Sequence, residues 1–364
     1  MKILMVNRPD INEKKGGDYY QMIETKRYLE YFGLKVSIIN DLPPNFKLDY
    51  DLIHIFNLQT AFFTWEWVKY CKKWKIPVVL SPIYWKTNPF SFKNFFNYFY
   101  KWDKWIWKNF LRSRLEKLER VCSKKYKIQK KILKFSDFIL PNSFSELIHI
   151  EKKFKLFLQD KSEVIYNGVD YDVFFQIPKC QKENIVIQVA HIGPTKNQLS
   201  VIKSLLDVDV PIYFIGRIED KKYHDVCIKL SKKRKAITYF YGEIKQKELM
   251  NIYLKAKVHV LPSFRETPGL VNLEAGAMGC FLVTTTEGST KEYFGEYAKY
   301  VKPFDIQGLK NDILECLKSN FNNGLREHIL SNFTWDKSAF HTYKAYEDVL
   351  ERFTKSGRRR LKDF

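Results

Sequence analysis

The chain has 364 residues, of which 45% are hydrophobic and 28% charged, a balance that excludes disordered and collagen-like chains and, at this length, favours two domains. Its 62 Lys and Arg against 41 Asp and Glu leave a formal net charge of +21, so an anionic partner is expected: nucleic acid, a phosphorylated small molecule or an acidic membrane face. Six cysteines, Cys71, Cys122, Cys180, Cys227, Cys280 and Cys316, stand singly, without the spacing of a zinc site or a disulfide framework.

In chain order, the opening MKILMVNRPD enters a short apolar strand directly. Neither a secretory leader nor a membrane span is expected there, and the expected compartment is the cytoplasm. The strand KILMVN is followed by Gly16-Gly17, a helix in YYQMIETKRYLEYFG, the strands KVSIIN and DLIHIF, a helix around FFTWEWVKYCKKW and the strand PVVLSP. Strands separated by helices of this length pair in parallel through right-handed crossovers.

Residues 93–134 interrupt this series with 14 Lys or Arg against three acids and ten aromatics. Phe95, Phe99, Trp102, Ile106 and Phe110 follow helical spacing, which predicts a basic amphipathic helix. Such a helix suits either the headgroup zone of an anionic membrane or a place packed on the first domain with a solvated basic face. After YNGVDYDVFF the pattern starts again: NIVIQVAHI, NQLSVIKSLLD, PIYFIG, AITYFYG, KELMNIYLKA, VHVLPS, a helix from Val271, and FLVTTTEG. The fold class is therefore α/β, with two doubly wound halves joined near residues 178–183 and a ligand cleft at the carboxyl ends of their strands. The expected domains are 1–178, carrying the insertion at about 88–134, then 179–345, and a last helix at 346–364 returning to the first domain.

The chemistry concentrates in SFRETPGLVNLEAGAMGC, residues 263–280. The turn of Thr267, Pro268, Gly269 and Leu270 opens a helix at Val271, where unpaired amides and a partial positive charge suit phosphate. Glu266 before the turn and Glu274 within the helix are carboxylates able to accept from sugar hydroxyls. Three D-x-D matches, Asp49–Asp51, Asp170–Asp172 and Asp207–Asp209, lie in turns without further hard ligands, so no metal is expected.

Glu266 and Glu274, with the run ETPGLVNLEAGAMG between and after them, resemble the E-x7-E pattern of family 4 glycosyltransferases, retaining enzymes of the GT-B type. Gly16-Gly17 looks like that family's phosphate-approaching loop, YNGVD like its segment before the interdomain linker, and FTWDKSA like the segment before its final helices. The family's diphosphate clamp, an Arg and a Lys five residues apart, corresponds to His191 and Lys196 in VAHIGPTKNQ, so a permanent charge is replaced by a titratable ring. Its acceptor-side histidine has no counterpart between Pro77 and Pro89, which leaves Tyr84 or another group in that place, or a different handling of the acceptor; His54 is expected to be a core or cleft histidine.

The resemblance implies a nucleoside-diphosphate sugar donor, a glycan or lipid-linked acceptor and no cofactor, with Glu266 on the sugar and Glu274 on the ribose. Lys196, the Gly16-Gly17 amides and the turn at Gly269 would meet the diphosphate. The expected protein is a cytoplasmic transferase, peripheral on the inner face of the cell membrane through residues 93–134. A non-catalytic subunit that kept the fold is one alternative. Nucleic-acid binding is another, but no recognition module for it is present.

Overall fold

The computed structural model describes residues 1–85, 123–175, 181–319 and 324–362. Of the basic aromatic stretch expected at 93–134, residues 93–122 lie outside the described residues. The chain divides into two compact units, Met1–Ile165 with Ala339–Phe364, and Tyr166–Ser338.

In the first unit, β1 (Lys2–Val6), β2 (Lys35–Ile39), β3 (Leu52–Phe56), β4 (Val78–Ser81) and β5 (Phe138–Ile139) form a parallel sheet in the order β2-β1-β3-β4-β5. Every residue of β3 and β4 is buried, as a parallel sheet covered on both faces requires. One face packs Leu4, Ile53, Leu80, Trp67 and Ile150, with helices α1 (Gly17–Tyr31), α2 (Ala61–Trp74), α3 (helical over the described residues 123–135) and α4 (Phe144–Phe154) in the same unit. α4 opens on a side-chain cap: Ser143 Oγ accepts from the Glu146 amide at 2.9 Å. The buried Glu146 carboxylate accepts from the amides of Tyr84 at 2.5 Å and Asn142 at 2.7 Å.

That arrangement explains Tyr84, considered above as an acceptor-side group. It is buried in the core, its ring 5.4 Å from that of Phe154, and its main chain is held by Glu146. The sheet's other face packs Ile3, Met5 and Val79 with Ala345, Tyr346 and Val349 of the last helix. His54 is buried here, Nδ1 2.6 Å from Tyr346 Oη and Nε2 2.9 Å from Ser81 Oγ. Burial pushes its pKa down to about 3, so the ring is a neutral strut of the core.

In the second unit, β6 (Glu183–Val189), β7 (Ile212–Ile215), β8 (Thr238–Tyr241), β9 (Ala256–Leu261), β10 (Phe281–Thr285) and β11 (Lys299–Val301) form a parallel sheet in the order β11-β10-β9-β6-β7-β8. The helices in chain order are α5 (Tyr171–Phe175), α6 (Gln198–Ser204), α7 (Lys221–Ser231), α8 (Gln246–Lys255), α9 (Leu270–Ala277), α10 (Thr290–Phe294), α11 (Ile306–Lys318) and α12 (Leu325–Asn332). α13 (Trp335–Lys362) begins in this unit and continues in the first. Strands β6 to β8 step outward one way and β9 to β11 the other, so the strand order reverses between β6 and β9. Both units are thus parallel, doubly wound α/β structures, as the alternation of apolar runs and helices predicts. Among the described residues, no helix is long and apolar enough to cross a membrane.

Candidate functional site

Loops leaving adjacent strands on either side of a reversal in strand order turn in opposite directions and leave a crevice at the carboxyl edge of the sheet. In the second unit those loops follow β6 and β9, and they carry Lys196 and Glu266. The Lys196 ammonium pairs with Glu266 Oε1. Glu266 is 7% exposed and the Lys196 side chain 21%. A buried pair of this kind depends on fixed geometry, and the main chain supplies it. The Phe264 amide donates to Thr195 O at 3.0 Å, tying the two loops together. Gln188 Nε2 donates to Lys196 O at 2.6 Å, and Asn197 Nδ2 donates to Pro262 O at 3.0 Å.

Glu266 is further held from the loop after β10. Its amide donates to Glu287 O at 2.9 Å, the Ser289 amide donates to its carbonyl at 3.0 Å, and an isolated parallel bridge joins it to Gly288. Thr267 and Pro268 then turn the chain to Gly269, the cap of α9. A Cβ at Gly269 would stand 3.1 Å from Glu266 Oε2, so the glycine keeps the turn close against that carboxylate. Asn272 fastens the turn from within the helix, its Nδ2 donating to Pro268 O at 2.9 Å. Leu270 and Val271 are the first two helical residues, where main-chain amides have no partner inside a helix. Glu274, one turn further on, is half-buried and accepts from Tyr253 Oη at 3.3 Å. Burial, then the Glu274 charge, pushes the Tyr253 phenol up, so it stays an O–H donor.

His191 is half-buried with Nε2 2.8 Å from Glu219 Oε2 and 3.2 Å from Thr195 Oγ1. Burial, and then the charges of Lys196 and Arg217, push its pKa down to about 4. The ring is therefore neutral near pH 7, and its contact with Glu219 is a hydrogen bond donated by Nε2–H rather than an ion pair. Gly16 and Gly17 belong to the first unit, at the start of α1. Gly16 lies against Asp18, whose buried carboxylate is held by Arg8 Nε at 2.9 Å and Asn57 Nδ2 at 3.2 Å; around a Cβ at Gly17 nothing lies within 4 Å.

The second unit thus brings Lys196, Glu266 and Gly269 together, with His191 on the Lys196 loop and Glu274 on the helix behind Gly269. Sequence reasoning missed Glu219, Asn272 and Gly288. Glycine at the end of a strand was the one available signal, at Gly288.

A parallel α/β unit with a charged pair at the reversal of its strand order has the architecture in which ligands bind at the carboxyl edge of the sheet. Residues 171–355, just over half of the chain, match the family described as glycosyl transferases group 1, and the chain belongs to that family. It is 24% identical over 221 residues to an uncharacterized glycosyltransferase of Methanocaldococcus jannaschii, covering 53% of this chain and 55% of that one. It spans smaller shares of the other curated relatives it matches. Among solved structures it superimposes on sucrose-phosphate synthase of Thermosynechococcus elongatus with a TM-score of 0.74 at 15% identity, covering 97% of this chain and 100% of that one. Anabaena HepE in complex with UDP and glucose superimposes with a TM-score of 0.62 at 15% identity, covering 100% of both chains. The fold these likenesses establish is of the GT-B type.

Proposed function

We propose that this protein is a retaining glycosyltransferase of the family 4 kind, moving a sugar from a nucleoside diphosphate to a glycan or lipid-linked acceptor in surface polysaccharide or glycoconjugate synthesis. The observation that carries the reading is the contact between Lys196 and Glu266 at the reversal point of the second sheet, beside the Gly269 turn. A fixed cation and the amides opening α9 offset charge on a departing diphosphate. Glu266 offers a second oxygen with no hydrogen-bond partner among the described residues, suited to a donor-sugar hydroxyl. Glu274 serves the ribose, and the Gly16-Gly17 amides are suited to phosphate oxygen. In the reaction, the bond from the anomeric carbon to phosphate oxygen breaks as the acceptor oxygen bonds to the same face, and the acceptor proton passes to the departing phosphate oxygen. No metal and no protein base is required.

The bound state at the membrane is part of the proposal. Lys124 Nζ lies 5.8 Å from the exposed Phe62 ring and Lys131 Nζ lies 5.8 Å from the Trp65 ring, so α2 and α3 present a cationic, aromatic surface of the kind that meets anionic lipid from the cytoplasmic side. One experiment with two arms tests the whole. Calorimetry against UDP-, GDP- and ADP-sugars should find one base bound with a Kd of about 1 mM or tighter. Vesicles rich in phosphatidylglycerol, but not neutral ones, should pull the protein down and release it at high salt. Binding of none of the three donors would overturn the transferase assignment, and equal recovery on neutral vesicles would overturn the membrane assignment.

A further inference from the structure

The ladder between β6 and β7 pairs Val189 with Ile215, and the isolated parallel bridge beyond it pairs Ile192 with Ile218. The register is the same in both, so His191 stands directly beside Arg217. The backbones are tightly joined there: the Ala190 amide donates to Ile215 O at 2.9 Å, the Ile192 amide donates to Arg217 O at 2.8 Å and the Glu219 amide donates to Ile192 O at 3.0 Å. A Cβ at Gly216 would stand 2.3 Å from Ala190 O, so only glycine allows this approach. The two side chains are close enough for the Arg217 charge to act on the His191 ring.

The two residues differ in what they can still bind. His191 is neutral and its Nε2 is committed to Glu219 and Thr195. Arg217 is half-buried and its guanidinium makes no hydrogen bond or ion pair among the described residues, while Glu219, two residues further on, pairs with the histidine. A partly desolvated guanidinium without a counter-ion, one strand away from Lys196, is a phosphate ligand in waiting.

Resting on the transferase reading, we propose that Arg217 supplies the guanidinium clamp for the donor's diphosphate, the fork having moved from the β6 loop to the β7 loop, and that His191 positions that loop through Glu219. The β6 loop then contributes one cation, Lys196, and the β7 loop the other.

Calorimetric titration with UDP, GDP, ADP and the matching monophosphates separates the possibilities. Arg217→Ala should weaken the preferred nucleoside diphosphate about 10- to 100-fold and the monophosphate far less. Arg217→Lys, which keeps the charge and loses the fork, should fall between. In the Arg217→Ala background, His191→Arg should recover most of the lost diphosphate affinity by returning a fork to the neighbouring strand. A loss of less than twofold in Arg217→Ala, or an equal loss for mono- and diphosphate, overturns the inference while leaving the transferase reading in place. Failure of the unaltered protein to bind any of the three diphosphates overturns both.

Discussion

Glu266→Gln is expected to lower the proposed sugar transfer about 100- to 1000-fold, the usual effect of removing one preorganised polar group from a transferring centre, while donor affinity should change by less than about tenfold. The substitution keeps shape and hydrogen-bonding capacity, so the turn at Gly269 has no steric reason to move. What it removes is the charge facing Lys196 and one of the two acceptor oxygens, the pair of which the proposed mechanism uses on Lys196 and on the donor sugar. Lys196→Met, made alone and together with Glu266→Gln, should give losses that do not add, because the two side chains form one contact. Steady-state transfer rates, with melting curves to confirm the fold, check this. Glu266→Gln with wild-type turnover would remove the carboxylate from the reaction and take the proposed mechanism with it.

Gly288→Ala destabilises the second unit by at least about 3 kcal/mol, since it combines a strained left-handed backbone with overpacking. The residue has φ +117°, and a Cβ there would stand 1.8 Å from the carbonyl oxygen and 3.0 Å from the amide nitrogen of Glu266. Relief requires the two chains to part, which breaks the bridge that holds Glu266 in place. Stability and transfer should therefore fall together. Gly242→Ala, around which nothing lies within 4 Å, is the control and should shift stability by less than about 0.5 kcal/mol. Urea unfolding of the two variants distinguishes them, and equal midpoints would show that the Glu266 segment tolerates the displacement.

The strands were legible wherever burial on both faces made an apolar run long enough to stand out, as in LIHIF and VVLS. β5 and β11 were not, being two and three residues long and defined by their partners rather than by pattern. In the site, the run from Glu266 to Glu274 was readable because turn, cap and acids are contiguous. The relation of His191 to Arg217 was invisible: it comes from strand register, and a string of residues does not state which positions lie side by side. Glu219 escaped notice for the same reason, since its partner is a histidine on the loop after β6. His54 was legible as a core histidine, and its bonds to Tyr346 and Ser81 show how the fold uses it, whereas the burial of Tyr84 against Phe154 depends on packing that a string of residues does not state.

The Lys196 and Glu266 contact joins residues 70 positions apart, and it exists only because β9 docks against β6, where Ile187 lies opposite His259. A chain emerging from the ribosome displays its lysine long before its acid. During that interval one margin of β6 is unpaired and open to any passing strand, a hazard that chaperones shield in nascent chains. Competence to bind donor should then arrive late and all at once during synthesis, when the segment through Gly288 has cleared the exit tunnel.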